Sequence, residues 1–135
     1  MSFVLDERLA SDTFVVGDLA LCRVLLMNDA RWPWLILVPM RADAVELTEL
    51  QPVDRARLVE EAAQSADFLK AHTGAHKINL GALGNVVRQL HLHVVARTPG
   101  DPAWPGPVWG HGAVRRYEEA EARALIGAGR KGLRI

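Results

Sequence analysis

The 135-residue chain has a single cysteine, no net charge and no long hydrophobic run, and each of these argues against a class of protein. It has one cysteine, Cys22, so no disulfide can form within the chain, and we expect a reducing, cytoplasmic location. Its 16 basic and 16 acidic side chains cancel, which argues against a protein that binds nucleic acid polymers without sequence preference. The apolar runs are too short to span a bilayer, and the first residues lack the pattern of a secretory signal. We therefore expect neither a membrane nor a nucleic acid as partner.

The overall composition of the chain is that of an ordinary globular protein. Half of the residues are hydrophobic, which is enough for one sizeable core. At this length the chain fits one domain over residues 1–135 better than two, and no internal repeat or low-complexity segment divides it. We interpret Cys22, within the apolar run "LALCRVLLM", as a small core residue.

The first third of the chain predicts one short helix and three strands. The helix falls on "FVLDERLA" near the N-terminus. The segment "TFVVGDLALCRVLLMN" reads as a hairpin that turns at Gly17-Asp18, a dipeptide suited to tight turns. The apolar run "WLILVP" ends at a proline and predicts a buried strand.

The clearest helix follows in "ELTELQPVDRARLVEEAAQSADFLKAHTG". Pro52 suits its first turn, and Gly74 suits a left-handed residue at its end. The segments "KINLGAL" and "VVRQLHLHVVAR" predict two further strands, separated by a turn at Gly84-Asn85.

The composition changes from about residue 98. The segment "TPGDPAWPGPVWGHG" holds four of the seven prolines and two of the four tryptophans, so it predicts a stiff, extended loop. A second helix follows in "RRYEEAEARALIGAGRKG", and we expect it to end near Gly127 to Gly129. The order of elements predicts an α+β fold: an antiparallel sheet of about five strands with a central helix and a C-terminal helix.

Two histidines in "QLHLHVVAR" raise the question of function. His91 and His93 are two residues apart, so in a strand they would share one face, together with Gln89. One interpretation is a pair of structural histidines with satisfied hydrogen bonds. A second is half of a zinc site, completed by His72, His76, His111 or Asp101, although no spacing signature joins these residues to the pair.

The third interpretation of the pair is nucleophilic catalysis. A neutral imidazole can attack phosphorus and form a covalent phosphoramidate, provided that a partner fixes its tautomer. Such chemistry also needs donors near the phosphate oxygens, and the second histidine and the Gly84-Asn85 turn are placed to supply them.

The stretch "QLHLHVVAR" resembles the signature of the histidine triad (HIT) family, in which three histidines alternate with apolar residues. The resemblance covers most of the chain, because "WLILVP", the central helix, "KINLG", the "GN" turn and the signature follow in the family's order. The segment "GDPAWPGPVWG" is similar to the tail of a bacterial subgroup of HIT-like proteins.

The resemblance implies a hydrolase of nucleoside phosphate bonds that works through a nucleotidyl-histidine intermediate. Its substrate would be a dinucleoside polyphosphate, a nucleoside phosphoramidate or an acyl-adenylate. His91 would be the nucleophile, and His93 would contact the phosphate and the leaving group. The resemblance implies a homodimer, no cofactor and no metal for the covalent step. It also implies substrate-binding roles for the residues Asn28 or Asp29 at the ribose and Asn79, Gly84 and Asn85 at the phosphate.

The chain departs from the family pattern at three positions. Gln89 replaces the first histidine of the triad, Trp34 or its neighbourhood replaces a further histidine, and Val86 replaces a Ser or Thr. Glutamine can exchange hydrogen bonds but cannot titrate near neutral pH. An alternative function is therefore a nucleotide-binding or adaptor protein with little turnover, and a zinc-binding structural domain is a further alternative.

Four large side chains near the signature have simpler interpretations. We interpret Arg88 and Arg97 as solvated ends of the histidine strand in preference to phosphate ligands. We interpret Trp104 and Trp109 as anchors of the proline-rich loop, on the core or on a partner subunit, in preference to a platform for the base.

Overall fold

The computed structural model describes residues 2–135 and contains one five-stranded antiparallel sheet. The strands lie in the order β1-β2-β3-β5-β4, so the C-terminal strand β5 inserts between β3 and β4. Their bounds are β1 Thr13–Asp18, β2 Cys22–Met27, β3 Trp34–Pro39, β4 Lys77–Gly81 and β5 Leu92–Arg97. The prediction of an α+β fold with about five antiparallel strands is confirmed.

Three helices accompany the sheet. The short helix α1, Glu7–Asp12, is capped by the side chain of Asp6, which accepts from two backbone N–H groups. The central helix α2, Pro52–Thr73, begins at Pro52 and ends at Gly74 with φ +69°, as the sequence predicts. The C-terminal helix is α3, Glu119–Leu133, and a 3-10 turn precedes α2 at Leu47–Glu49.

One face of the sheet packs against helices. We call it the helix face: α2 lies on β5 and β3, and α3 lies on β1. Its core is aliphatic and includes Val24, Leu35, Leu37, Leu69 and Val94, none of them more than 1% exposed. Buried apolar surface of this kind supplies most of the stability of such a layer.

The other face of the sheet is covered by irregular chain. We call it the site face: residues 103–109 and the segment before α1 lie over it. Its core is richer in aromatic residues, with Trp32 and Trp34 buried and Trp109 packed against them. By the alternation of β5, His93, Val95 and Arg97 all point to the site face.

Several predicted boundaries are wrong, including that of the N-terminal helix, which was predicted over residues 3–10 and lies at Glu7–Asp12. The hairpin turns at residues 19–21 and not at Gly17-Asp18, because Gly17 belongs to a bulge in β1 and packs on Ile135. Helix α3 continues through Gly127 and Gly129 to Leu133. Glycine is needed in this helix because a Cβ on Gly132 would collide with the ring of Phe68. Close packing therefore explains Gly132, and at Gly129 a Cβ would lie 3.2 Å from Cγ1 of Val16, whereas Gly127 has no neighbour within 4 Å among residues 2–135.

The strand predicted over residues 86–97 begins only at Leu92. Gln89 and His91 therefore precede β5 in irregular backbone, where side chains need not alternate. Among residues 2–135, no helix has the length and apolar character needed to cross a membrane.

Candidate active site

A cavity of about 480 Å³ opens on the site face. The segment 83–87, both histidines and the C-terminal loop form its walls. Most of the lining is apolar, from Met27, Val86, Val87, Val108 and Val114, and Trp34 and Trp109 add aromatic surface. A concave, mainly apolar cavity with a few polar groups at one end is typical of a small-molecule site.

His91 and His93 both line this cavity, with their rings next to each other. Their ring centroids are 5.0 Å apart, and both side chains are 6% exposed. His93 is placed by β5, where it pairs with Ile36 of β3 and Gly81 of β4. The pair predicted from the sequence is therefore brought together, although His91 lies outside the strand.

His91 has one ring nitrogen committed to the backbone. Its Nδ1 lies 2.6 Å from the carbonyl oxygen of Gln89. A carbonyl can only accept, so Nδ1 carries the proton and a neutral His91 keeps its lone pair on Nε2. That is the protonation state that a nucleophile requires.

His93 lies in an environment that disfavours its charged form. Burial, reinforced by the neighbouring His91, lowers the pKa of His93 to about 4. The indole Nε1 of Trp34 lies 3.0 Å from Nδ1 of His93, and the rings of Trp34 and Trp109 flank it at 5.6 and 5.4 Å. His93 is therefore neutral at physiological pH.

Gln89 turns away from the histidine pair, so the prediction that it shares their face is wrong. Its side chain accepts from the backbone N–H of Asp6 and donates to the carbonyl of Val4, at 2.8 Å each. Its contribution to the pair is the main-chain carbonyl that holds His91. The side chain instead fastens the N-terminal segment beside the site.

The predicted ribose residues separate in the structure. Asp29 is 1% exposed and lines the cavity, and both of its oxygens accept from the Arg31 guanidinium at 2.9 and 2.8 Å. Burial raises the pKa of Asp29, but the hydrogen bonds and charge of Arg31 outweigh it and hold the pKa below its usual value. Asn28 instead accepts from the backbone N–H of Tyr117 and does not line the cavity.

Asn79 also lies outside the cavity. Its Oδ1 accepts from Arg97 at 2.8 Å, and Arg97 pairs with Asp101 through Nε and Nη2 at 2.8 and 3.0 Å. Arg97 is 1% exposed, so the interpretation of a solvated strand end is wrong for it. Alternation along β5 places Arg97 under the proline-rich loop, where Asp101 satisfies its charge.

The glycine turn predicted for phosphate contact does border the histidines. Gly84 and Asn85 line the cavity beside His91, and Gly84 has φ +77°. Residues with side chains rarely adopt that conformation, so glycine permits the turn.

The roles of the aromatic residues were the least predictable part of the site. Trp104 packs on Arg97 and His76, as expected of an anchor. Trp109 is both an anchor and a wall: it lines the cavity, and its Cη2 lies 2.9 Å from where a Cβ of Gly81 would be. His111, which the sequence indicates only as a metal ligand, lines the cavity and is exposed.

Comparison with known proteins decides the family. The HIT domain model matches residues 8–100, more than half of the chain. The chain belongs to the HIT domain family. HIT-domain proteins are generally nucleotide-binding hydrolases.

Three solved HIT proteins share both sequence and fold with this one. A histidine triad protein from Sinorhizobium meliloti 1021 is 55% identical with a TM-score of 0.94, and the match covers 96% of each chain. One from Bradyrhizobium japonicum is 44% identical, with a TM-score of 0.96, covering 98% of this chain and 99% of that one. One from Marinobacter aquaeolei VT8 is 43% identical, with a TM-score of 0.96, covering 99% and 98%. None of the curated proteins compared with the chain matches it.

This HIT protein shows no protein ligand set for zinc within residues 2–135. No group of three or more His, Cys, Asp or Glu side chains converges there. His76 packs on Trp104, and His111 packs on Trp32. The zinc interpretation of the histidine pair thus gains no support from the geometry.

Proposed function

We propose that the protein is a nucleotide-binding hydrolase that cleaves a nucleoside phosphate bond through a nucleotidyl-His91 intermediate. The observation that carries the proposal is the contact between His91 Nδ1 and the Gln89 carbonyl, at the wall of a cavity that His93 also lines. It leaves Nε2 of His91 free to attack.

The chemistry follows from that tautomer. The lone pair of His91 Nε2 forms a bond to phosphorus, and the bond from phosphorus to the leaving group breaks with its electron pair on the leaving group. The ring then carries a positive charge, which the Gln89 carbonyl stabilises through Nδ1–H. In the second step water attacks the same phosphorus while the bond to Nε2 breaks with its electron pair on His91, which releases the nucleoside monophosphate and a proton to solvent and restores neutral His91.

The substrate's other parts fit the cavity walls. Asp29 keeps further lone pairs for the ribose hydroxyls even while Arg31 occupies both of its oxygens. Gly84 and Asn85 line the cavity and offer backbone and amide donors to phosphate oxygens, and the apolar walls offer a surface to a base. Asn79 accepts from Arg97, which pairs with Asp101 of the loop that carries Trp109.

The charge of the cavity favours one substrate class. Among residues 2–135, the single Lys or Arg that lines it is Arg31, and Asp29 neutralises that charge. A dinucleoside polyphosphate would bring several negative charges to a site with no net positive charge, whereas a phosphoramidate or an acyl-adenylate brings one. We therefore place the phosphoramidate or acyl-adenylate first.

The test is the mass of the intact protein after mixing with an adenosine phosphoramidate and quenching without acid. We expect an added adenylyl group on the wild type and none on His91→Ala, with turnover reduced at least about 1,000-fold. His111→Ala is the matched control, because it removes an exposed imidazole from the same cavity and should keep the intermediate. Equal hydrolysis by wild type and His91→Ala would contradict the mechanism.

A second candidate function is nucleotide binding with little turnover. The observation that favours it is Gln89, whose side chain is tied to the N-terminal segment and supplies no titratable group. It predicts calorimetric binding of adenosine monophosphate without hydrolysis of any adenylated substrate. Hydrolysis that depends on His91 would rule it out.

We also propose that the protein forms a homodimer. Strand β4 is an edge of the sheet with no partner on its outer side among residues 2–135, and its Leu80 is 54% exposed. Exposed apolar side chains on an open strand edge favour association. Light scattering coupled to gel filtration should give twice the mass of the chain, and Leu80→Lys should shift it toward the monomer.

A further inference from the structure

Trp34 donates a hydrogen bond to His93 from the neighbouring strand. Trp34 opens β3 and pairs with Val95, which brings its indole beside the ring two residues earlier on β5. Nε1 of Trp34 lies 3.0 Å from Nδ1 of His93, and Trp34 is 4% exposed. The bond is therefore shielded from water.

The direction of this bond fixes the protonation of His93. An indole nitrogen is a donor only, so Nδ1 of His93 must present a lone pair. A neutral ring that accepts at Nδ1 carries its proton on Nε2. A doubly protonated ring would set two N–H groups against each other.

We propose that Trp34 is a positioning residue that holds His93 as a neutral ring protonated on Nε2, so that His93 stabilises phosphate oxygens by donating a hydrogen bond and transfers no proton to the leaving group. The proposal rests on the proposed function for its phosphate. It goes further, because it assigns the two neighbouring rings opposite tautomers with different causes.

The two histidines differ in what their Nδ1 atoms face. The Gln89 carbonyl accepts from His91, which leaves a lone pair on Nε2. The Trp34 indole donates to His93, which leaves a proton on Nε2. The pair therefore offers a nucleophile and a donor to one phosphate without any change of protonation before the attack.

The same geometry limits acid catalysis. If neutral His93 gave up its Nε2 proton, it would become an imidazolate anion in a buried, mainly apolar setting, which is strongly disfavoured. A leaving group that is stable as an anion, such as the carboxylate of an acyl-adenylate, can therefore depart with the electron pair alone, whereas the amine of a phosphoramidate must take a proton from water before the bond from phosphorus to nitrogen breaks. The rate should depend steeply on how stable the leaving anion is.

Within residues 2–135, the surroundings of His93 offer no group that would protonate Nδ1 of its ring. Titratable groups that share its cavity are His91 before β5, Asp29 and Arg31 after β2, and His111 in the C-terminal loop. Asp29 is engaged by Arg31, β4 places Gly81 opposite His93, and β3 supplies Ile36 and Trp34.

The decisive measurement is the ¹⁵N spectrum of the histidine rings, which needs no turnover. We expect wild-type His93 to show an unprotonated Nδ1 and a protonated Nε2 from pH 5 to 8. In Trp34→Phe the donor is lost, so we expect mixed tautomers and a pKa of His93 raised by about one unit. Trp32→Phe is the matched control: Trp32 is a buried tryptophan of the same cluster and makes no hydrogen bond to either histidine within residues 2–135, so the His93 signals should not change.

Kinetics on the same variants test the catalytic consequence. With aryl esters of adenosine monophosphate, kcat/KM of wild type should fall steeply from a p-nitrophenyl to a phenyl leaving group. Trp34→Phe should lose about tenfold in kcat at pH 8 with little change in KM, and Trp32→Phe should lose much less.

The outcomes separate the two proposals. A proton on Nδ1 of wild-type His93, or tautomers that do not change in Trp34→Phe, would overturn the role of Trp34. If the tautomers are as expected and no substrate is hydrolysed, the hydrolase proposal fails and the assignment of the tautomer stands. If Trp34→Phe does not fold, the wild-type spectrum and its pH series still decide the protonation of His93.

Discussion

The two faces of the sheet are built by different means. The helix face is covered by α2 and α3 through aliphatic side chains, and its contacts follow helical periodicity. The site face is covered by irregular chain, held by tryptophans, an internal ion pair and side chain to backbone hydrogen bonds. A face covered by loops can enclose a cavity and place polar groups at its wall, and the cavity that both histidines line lies on this face.

Polar groups buried at the two faces also differ in role. On the helix face Glu61 is 2% exposed and accepts from the backbone N–H groups of Leu21 and Cys22 at 2.9 and 2.8 Å. That carboxylate satisfies the backbone of a turn, and neither Leu21 nor Cys22 lines the cavity. On the site face Arg97 and Asp101 fasten the loop that carries Trp109, so the same kind of burial supports the site.

The largest expected effect on stability is at Arg97. Arg97→Leu leaves Asp101 and Asn79 without their partner, and we expect the free energy of unfolding to fall by about 3–5 kcal/mol. Urea denaturation measures it. Arg123→Leu is the control, since its pair with Glu119 is 74% and 86% exposed and is worth no more than about 0.5 kcal/mol. Equal losses in the free energy of unfolding of the two variants would show that the buried ion pair of the site face contributes no more than an exposed one.

Truncating a buried side chain on the helix face should lower stability without changing kcat. Leu69 on α2 is fully buried, so Leu69→Ala should lower the free energy of unfolding by about 2–5 kcal/mol. The kcat of the folded fraction should stay at the wild-type value, because Leu69 lies across the sheet from the histidines. A tenfold loss of kcat at a temperature where the variant is folded would show that the faces are coupled.

Gly81 offers a test of how the site face is packed. In Gly81→Ala the new Cβ would lie 2.9 Å from Cη2 of Trp109, so the indole must shift away from His93. We expect a loss of stability of about 1–3 kcal/mol and weaker binding of adenosine monophosphate by calorimetry. Gly127→Ala, in α3 with no atom within 4 Å of the new Cβ, should instead stabilise by about 0.5–1 kcal/mol. A change in stability of the same sign in both variants would contradict the packing described around Gly81 and Gly127.

The smallest expected effect is on the way stability depends on pH in the acid range. Hydrogen bonds from Arg97 hold the pKa of Asp101 far below its usual value, so this carboxyl contributes stability above about pH 4, the pKa of an unfolded Asp. That contribution is lost as pH falls toward the lowered pKa. Asp101→Asn should therefore flatten the decline in stability between pH 4 and pH 2, measured by thermal unfolding. An unchanged slope would mean that the loop pair does not govern acid sensitivity.

Elements of strong periodicity and clear capping were predictable. Pro52 and Gly74 mark the ends of α2, and "WLILVP" and "KINLG" coincide with β3 and β4. The roles of Gly17, Gly129 and Gly132 were not, because a glycine that permits close packing has the same letter as one that ends an element. Only the neighbours, Ile135 and Phe68, distinguish the two cases.

The two histidines and the Gly84-Asn85 turn of the candidate site were predictable, whereas the hydrogen-bond partners of the other predicted site residues were not. Asn28 and Asn79 were predicted to meet substrate, yet they accept from Tyr117 and Arg97. Alternation could not place Gln89, since the strand begins three residues later at Leu92. Side-chain direction in irregular backbone depends on contacts distant in sequence, here with residues 4 and 6.

By itself the sequence determined the layers of the fold, the histidine pair and the family signature, because periodicity, caps and local spacing are properties of neighbouring residues. Tertiary structure alone decided that His91 faces a carbonyl and His93 faces an indole. Trp34 and His93 are 59 residues apart, and only the pairing of β3 with β5 brings them together. The protonation of the two rings is set by those contacts, so it could not be deduced from the letters of "QLHLHVVAR".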